Sequence, residues 1–247
     1  MRSSKTRFEP RSYRRLTAAE GLVGFGVTIA QTDVWIWAEK ILRGPATAAI
    51  QSARASLEGY IASHPDFVTS LTPLPCEDNA PPIIARMCAA ASAANVGPMA
   101  AVAGAVAQLV AEYLEPYSSE VIVENGGDVF LIPRRDRLVA IVAPGSDFSG
   151  RLALRVPAGE RLGVCTSSGT VGPSRSFGRA DVALIAAHDG ALADAAATTL
   201  GNRVHQPDDI EPALDLVRAI PGIVHALVMI GGRMGTFGSL DLVPLSA

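Results

Sequence analysis

This 247-residue sequence is poor in residues on which several common chemistries depend. Its three cysteines, Cys76, Cys88 and Cys165, form neither an even set nor a CxxC pair. That excludes a secreted disulfide framework and points to a reducing compartment. Its four histidines, His64, His188, His205 and His225, have no partner at metal-ligand spacing, so no His/Cys metal cluster is expected. Positive charge is not in excess either. The formal charge is −3 and the pI about 5.8, which argues against nucleic acid as a partner. No apolar run reaches the roughly 18 residues of a membrane span, and the Ala-rich stretch after Gly97 is closed too soon by Glu112. GxGxxG, the P-loop and the GxSxG elbow are absent, and no His–acid pair announces a triad.

The N-terminus carries Arg2, Lys5, Arg7, Arg11, Arg14 and Arg15 against the single acid Glu9. A signal peptide would continue into about 7–15 apolar residues. Here Glu20 and the glycines at 21, 24 and 26 interrupt. Residues 1–20 therefore read as a basic, solvated arm of a cytoplasmic protein, and residues 21–247 as one domain.

What is present is patterning. Val23, Phe25, Val27 and Ile29, then Val34, Ile36 and Ala38, alternate around Gln31-Thr32-Asp33 and predict a hairpin. Trp35 and Trp37 fall on its other face, which calls for cover from a helix or a partner chain. Ile50, Ala53, Leu57, Tyr60 and Ile61 have helical spacing, and prolines make 64–82 an extended connection. Helical pieces flank Gly97-Pro98. In the second, Ala100, Ala101, Ala103, Gly104 and Ala107 leave one side nearly bare, so another backbone can approach. Strands are expected at 121–123, 129–132, 138–142, 152–156, 162–166, 181–187, 222–230 and 240–245, with 231–235 a turn and helices opening near 189 and 207. The pattern predicts an α+β fold, largely antiparallel, with helices on one side. Whether a second copy covers Trp35, Trp37 or the Ala-rich helix, making a homo-oligomer, is open at this point.

Three pieces carry candidate chemistry. Glu124-Asn125-Gly126-Gly127-Asp128 contains the Asn-Gly hairpin signal bracketed by two acids, a turn that can also hold a ligand. Thr166-Ser167-Ser168-Gly169, continuing to Gly178, exposes backbone N–H groups as an anion site requires. Asp194 and Thr198 lie four apart on one helical face and can share a hard cation such as magnesium. Asp194 can equally complement a helix dipole, with Thr198 bonding its own backbone. Cys165 reads as a small apolar residue at a strand end.

With these pieces quoted, the blocks VGPMAAVAGA, VENGGDV, VCTSSGTVGPSRSFGRAD and LADAAATTLGN resemble, in order, the ApbE family of flavin transferases, and more closely its UPF0280 branch. The resemblance spans about residues 20–245. It implies a mixed fold related to the T-fold, with FAD in a cleft and magnesium as cofactor. Asn125, Gly126, Gly127 and Asp128, with Glu124 beside them, would line the nucleotide site. Thr166, Ser167, Ser168 and Gly169 would meet phosphate or flavin, and Asp194 and Thr198 would hold the metal. One departure is plain: the family's His-x-x-Asp-Pro-x-Thr-Gly signature falls where residues 171–179 hold neither His nor Asp. No catalytic residue is assigned, and Ser174, Arg175 and Arg179 become candidates for phosphate or carboxylate. The expected partner is a phosphorylated or flavin-like small molecule. Two readings remain: a magnesium-dependent transferase or hydrolase, or a binding protein that kept the scaffold without the chemistry.

Overall fold

The structure is a computed structural model that describes residues 19–143, 149–167 and 177–245. The hairpin pattern is realised as β1 (Val23–Ile29) and β2 (Thr32–Ala38). Helix α1 (Arg43–Ser63) follows, and the connection after it, expected to be irregular throughout, folds one short turn, α2 (Asp66–Thr69). Helix α3 (Pro82–Ala94) stops at Asn95, whose φ of 55° is left-handed, so Asn serves where the chain must leave the helix. A 3-10 turn (Pro98–Ala101) then leads into α4 (Val102–Leu114).

The remaining strands are β3 (Val121–Asn125), β4 (Asp128–Ile132), β5 (Arg137–Ala140), β6 (Leu152–Val156), β7 (Leu162–Ser167) and β8 (Val182–Ala187). Helices α5 (Gly190–Arg203) and α6 (Ile210–Arg218) precede β9 (Ile223–Ile230), β10 (Arg233–Gly238) and β11 (Asp241–Pro244). Eight strands form one antiparallel sheet in the order β1-β2-β3-β4-β7-β8-β9-β10. A second antiparallel sheet has the order β11-β6-β5.

Strand alternation divides the interior in two. Phe25, Ile36, Val123, Phe130, Ile185 and Val228 face the helices. Ile122, Leu131, Val164, Leu184, Leu227 and Met229 face the small sheet, against Val139, Leu154 and Val156. Each such side chain contributes about 1.5–3 kcal/mol when fully buried. A one-residue slip would exchange the two cores, so register is strongly specified.

Three expectations need correction. Trp37 is buried in the core beneath the small sheet, and half-buried Trp35 packs against that core, so a sheet stands where a helix was expected. The turn placed at 231–235 is only Gly231-Gly232. Residues 233–238 return on β9 as β10, where the chain was read as passing straight to a last strand. That last strand, β11, pairs with β6 in the other sheet. Among the described residues no single helix is long and apolar enough to cross a membrane.

Candidate functional site

The Ala/Gly-rich face of α4 does what its composition suggests. A Cβ on Gly104 would stand 2.1 Å from the Gly190 carbonyl oxygen and 2.9 Å from the Asp194 Cβ, so α4 and α5 meet backbone to backbone. The contact is fixed by polar groups. Buried Gln108 accepts the Gly190 N–H at 2.6 Å through Oε1 and donates from Nε2 to Glu112 at 2.8 Å. Asp189 caps α5, accepting the Leu192 N–H at 2.9 Å.

Asp194 sits where these helices touch. Its Oδ2 accepts the N–H groups of Ala103 (3.0 Å) and Gly104 (2.9 Å), two amides of the first turn of α4. The carboxylate therefore offsets the positive end of a neighbouring helix rather than of its own. Asn125 reaches the same place, its Nδ2 donating to the Ala103 carbonyl at 3.1 Å.

The loop of the β3–β4 hairpin is the pair Gly126-Gly127, with φ of 71° and 108°, flanked by Asn125 and Asp128 as register partners. Both glycines are needed because both loop positions are left-handed. Glu124 braces the turn by accepting the Gly127 N–H at 2.8 Å. Asp128 is buried and accepts the Thr166 N–H at 3.1 Å, which ties the turn to β7. The Thr166 hydroxyl lies 3.5 Å from the Gly127 carbonyl.

Asp128 and Asp194 form an acid pair. Burial, and then the charge of Glu124, push the Asp128 carboxyl up to about 7, against the lowering effect of the Thr166 N–H and the Cys165 thiol. Burial and the charge of Asp128 push Asp194 well above the usual carboxylate range, although its two amide donors oppose this. Neither acid has an arginine or lysine partner among the described residues. Two acids in this setting, Asp128 buried and Asp194 half-buried, either keep protons or take a cation. The Cys165 thiol, raised by burial and by Asp128, lies 3.6 Å from the Gly190 carbonyl, so it is a packed thiol and not a nucleophile.

Of the residues singled out from sequence, the structure gathers Glu124, Asn125, Gly126, Gly127, Asp128, Thr166 and Asp194 around the α4 N-terminus. Buried Ser167 ends β7, and Thr198 lies one turn after Asp194 on α5, half-buried. The helical threonine with backbone bonds is Thr199, which donates to Ala94 (2.6 Å) and Ala195 (3.2 Å). Arg179 is exposed, and its N–H donates to Val204 at 2.8 Å, nearly three turns of α5 beyond Asp194. Ser168, Gly169, Ser174 and Arg175 lie outside the described residues. The sequence reading did not single out the Ala103 and Gly104 amides or Gln108. The small-residue run around Gly104 was the available signal.

Among the described residues no three His, Cys, Asp or Glu side chains are grouped to hold a metal ion. Magnesium characteristically uses only one or two carboxylates and takes its other ligands from water and phosphate. The donors here, an acid pair with no basic partner among the described residues and the nearby Thr198, fit such an ion.

This architecture is that of the ApbE flavin transferases. The flavinyl transferase ApbE of Pseudomonas stutzeri matches with a TM-score of 0.55 at 13% identity, over 87% of this chain and 94% of that one. The ApbE protein of Thermotoga maritima matches at 0.53 and 13% identity, over 89% and 96%. At that identity the likeness concerns the fold. Kinship rests on sequence: residues 14–227 match the family described as "AbpE bacteria". A UPF0280 protein of Methanocella arvoryzae is 41% identical over 217 residues, 87% of this chain and 88% of that protein. Another, from Methanosarcina barkeri, is 43% identical over 200 residues, 80% and 79%. The chain belongs to the ApbE-like UPF0280 family.

Proposed function

We propose that this protein binds a flavin nucleotide, or another phosphorylated small molecule, beside the N-terminus of α4, with magnesium held by Asp194 and Thr198. The observation that carries this reading is the pair of buried Asp128, tied to β7, and half-buried Asp194, held on the α4 amides, with no basic partner among the described residues. Its charge is offset by a divalent cation, which can then take a ligand phosphate as a further ligand. Bound magnesium would supply the positive charge that neutralises a diphosphate. The chain's own part is to position the ligand: the braced Gly126-Gly127 turn admits it closely, and the Thr166 end of β7 orients it. The same reading makes the protein cytoplasmic, with a small molecule rather than nucleic acid as its partner.

A second reading, binding without group transfer, is favoured by the absence of His and Asp from residues 171–179. No acid–base residue is therefore assigned. Titration calorimetry with FAD, with and without magnesium, tests the site against an Asp194→Asn variant, which keeps one acceptor oxygen for the α4 amides. Magnesium-dependent binding, weakened at least about tenfold in the variant, is the expected result. Equal binding by both proteins, or none by either, removes the flavin-and-magnesium reading. Formation of FMN and AMP on incubation would separate transfer chemistry from binding alone.

A further inference from the structure

A second concavity lies toward the other end of α5. It is a cleft of about 270 Å³ between the end of α3, the last turns of α5 and the end of α6. Val96, Leu216 and Ile220 form apolar walls, and Leu71 and Phe177 stand at its edge. Leu71, Phe177 and Leu216 are 67%, 60% and 43% exposed, although large apolar side chains gathered in one place are normally covered. Against this apolar surface stands Arg203, with Asn95 and Asn202 beside it. Neither Arg203 nor neighbouring Arg179 has an acid partner among the described residues, whereas Arg86, Arg137, Arg161 and Arg218 all have one.

The walls are preorganised. The Phe177 N–H donates to the Asn202 side chain at 2.8 Å, and the Arg179 N–H to Val204 at 2.8 Å. The Thr199 hydroxyl locks the end of α3 to α5. Gly97 brings the backbone at Ser70 so close that a Cβ would stand 1.8 Å from its oxygen, which fixes the segment carrying Leu71. A rigid concavity loses less entropy on binding than a mobile one.

We infer that this cleft is a binding site for a small amphipathic carboxylate, with a one-ring aromatic or short branched apolar body. Size excludes more: the volume falls below the roughly 300–1,000 Å³ of sites for drug-sized ligands, so a dinucleotide does not fit. The single lining guanidinium has the planar fork that meets a carboxylate with two parallel hydrogen bonds. The Asn95 amide stands beside it to meet a planar, singly charged group, and the apolar walls take the body. This site is distinct from the proposed phosphate site. Asp194 and Arg203 are nine residues apart on α5, about 13 Å along its axis.

The test uses phenylacetate as ligand, followed by titration calorimetry and protein NMR on the full chain. Binding with a dissociation constant on the order of 1 mM is expected for a ligand of this size. Arg203→Gln should weaken it about tenfold, and phenylacetamide, which lacks the charge, should bind the native protein about tenfold more weakly. Ala93→Phe projects a ring from an exposed lining position and should abolish binding, with an unchanged melting temperature showing that the variant is folded. It should leave FAD titration as in the native protein, while Asp194→Asn should leave phenylacetate binding intact. The inference is overturned by absence of binding at 10-fold the expected constant, or by binding that neither Arg203→Gln nor Ala93→Phe changes.

Discussion

Gly104→Ala adds one methyl group where α4 and α5 meet backbone to backbone. The new Cβ would lie 2.1 Å from the Gly190 oxygen, 2.8 Å from the Gly190 carbonyl carbon and 2.9 Å from the Asp194 Cβ. Two of these are backbone atoms, so no side-chain rotation relieves the clash, and α4 and α5 must separate. Overpacking of this kind costs about 1–3 kcal/mol. Separation also stretches the bonds from the Ala103 and Gly104 N–H groups to Asp194, a cap worth about 1 kcal/mol. The sum, about 2–4 kcal/mol, corresponds to a fall of roughly 5–15 °C in melting temperature for a chain of this size. Gly59→Ala is the matched control. It lies within α1 with nothing within 4 Å of its would-be Cβ, so the same methyl should stabilise by about 1 kcal/mol. Differential scanning calorimetry of the two variants reads both signs. A Gly104→Ala protein melting within 2 °C of the native one would refute the close-contact account of this crossing and of Asp194's position.

Two further outcomes are expected. Iodoacetamide at pH 8, followed by mass spectrometry, should label exposed Cys76 first and leave Cys88 and Cys165 protected until unfolding; burial raises both protected thiols, Cys88 to about 12. Prompt triple labelling would contradict this burial. The buried His225 accounts for a pH effect, since burial lowers its pKa and its Nε2 lies 3.0 Å from the Thr236 hydroxyl. A histidine held neutral stabilises the fold above its unfolded pKa of about 6.5, and that contribution is lost as pH falls through the lower folded value. The melting temperature of the native protein should therefore fall more steeply from pH 7.5 to 5 than that of His225→Gln, and parallel curves would exclude this assignment.

Much of the architecture was legible because periodicity of two and of 3.6 marks a buried face locally. Val23 to Ala38 and Val121 to Ile132 could be read as hairpins, and the run from Ala100 to Ala107 as a helix made for close approach. The Trp35 and Trp37 face was recognised as needing cover. That the cover is a sheet could not be read, because β11 reaches β6 from far along the chain and the small sheet meets the face of β2 only in the fold. For the same reason Gly235 looked like part of a turn. Its place in β10, where a Cβ would stand 2.3 Å from Ile210, comes from packing against α6.

The site divides along the same line. Residue types and short spacings determined which side chains could do chemistry: the Gly126-Gly127 turn bracketed by Glu124 and Asp128, and Asp194 four residues before Thr198. Family membership is likewise a property of the sequence alone. Only the tertiary structure decided that Asp194 caps α4 rather than its own helix, that Asp128 lies near enough to raise it, and that Arg203 stands beside an apolar cleft with no acid partner among the described residues. The physical reason is range. Backbone preference and hydrophobic alternation act over a few residues and are written locally. Desolvation and charge coupling depend on which distant segments are packed within a few ångströms, and that is fixed only when the chain has folded.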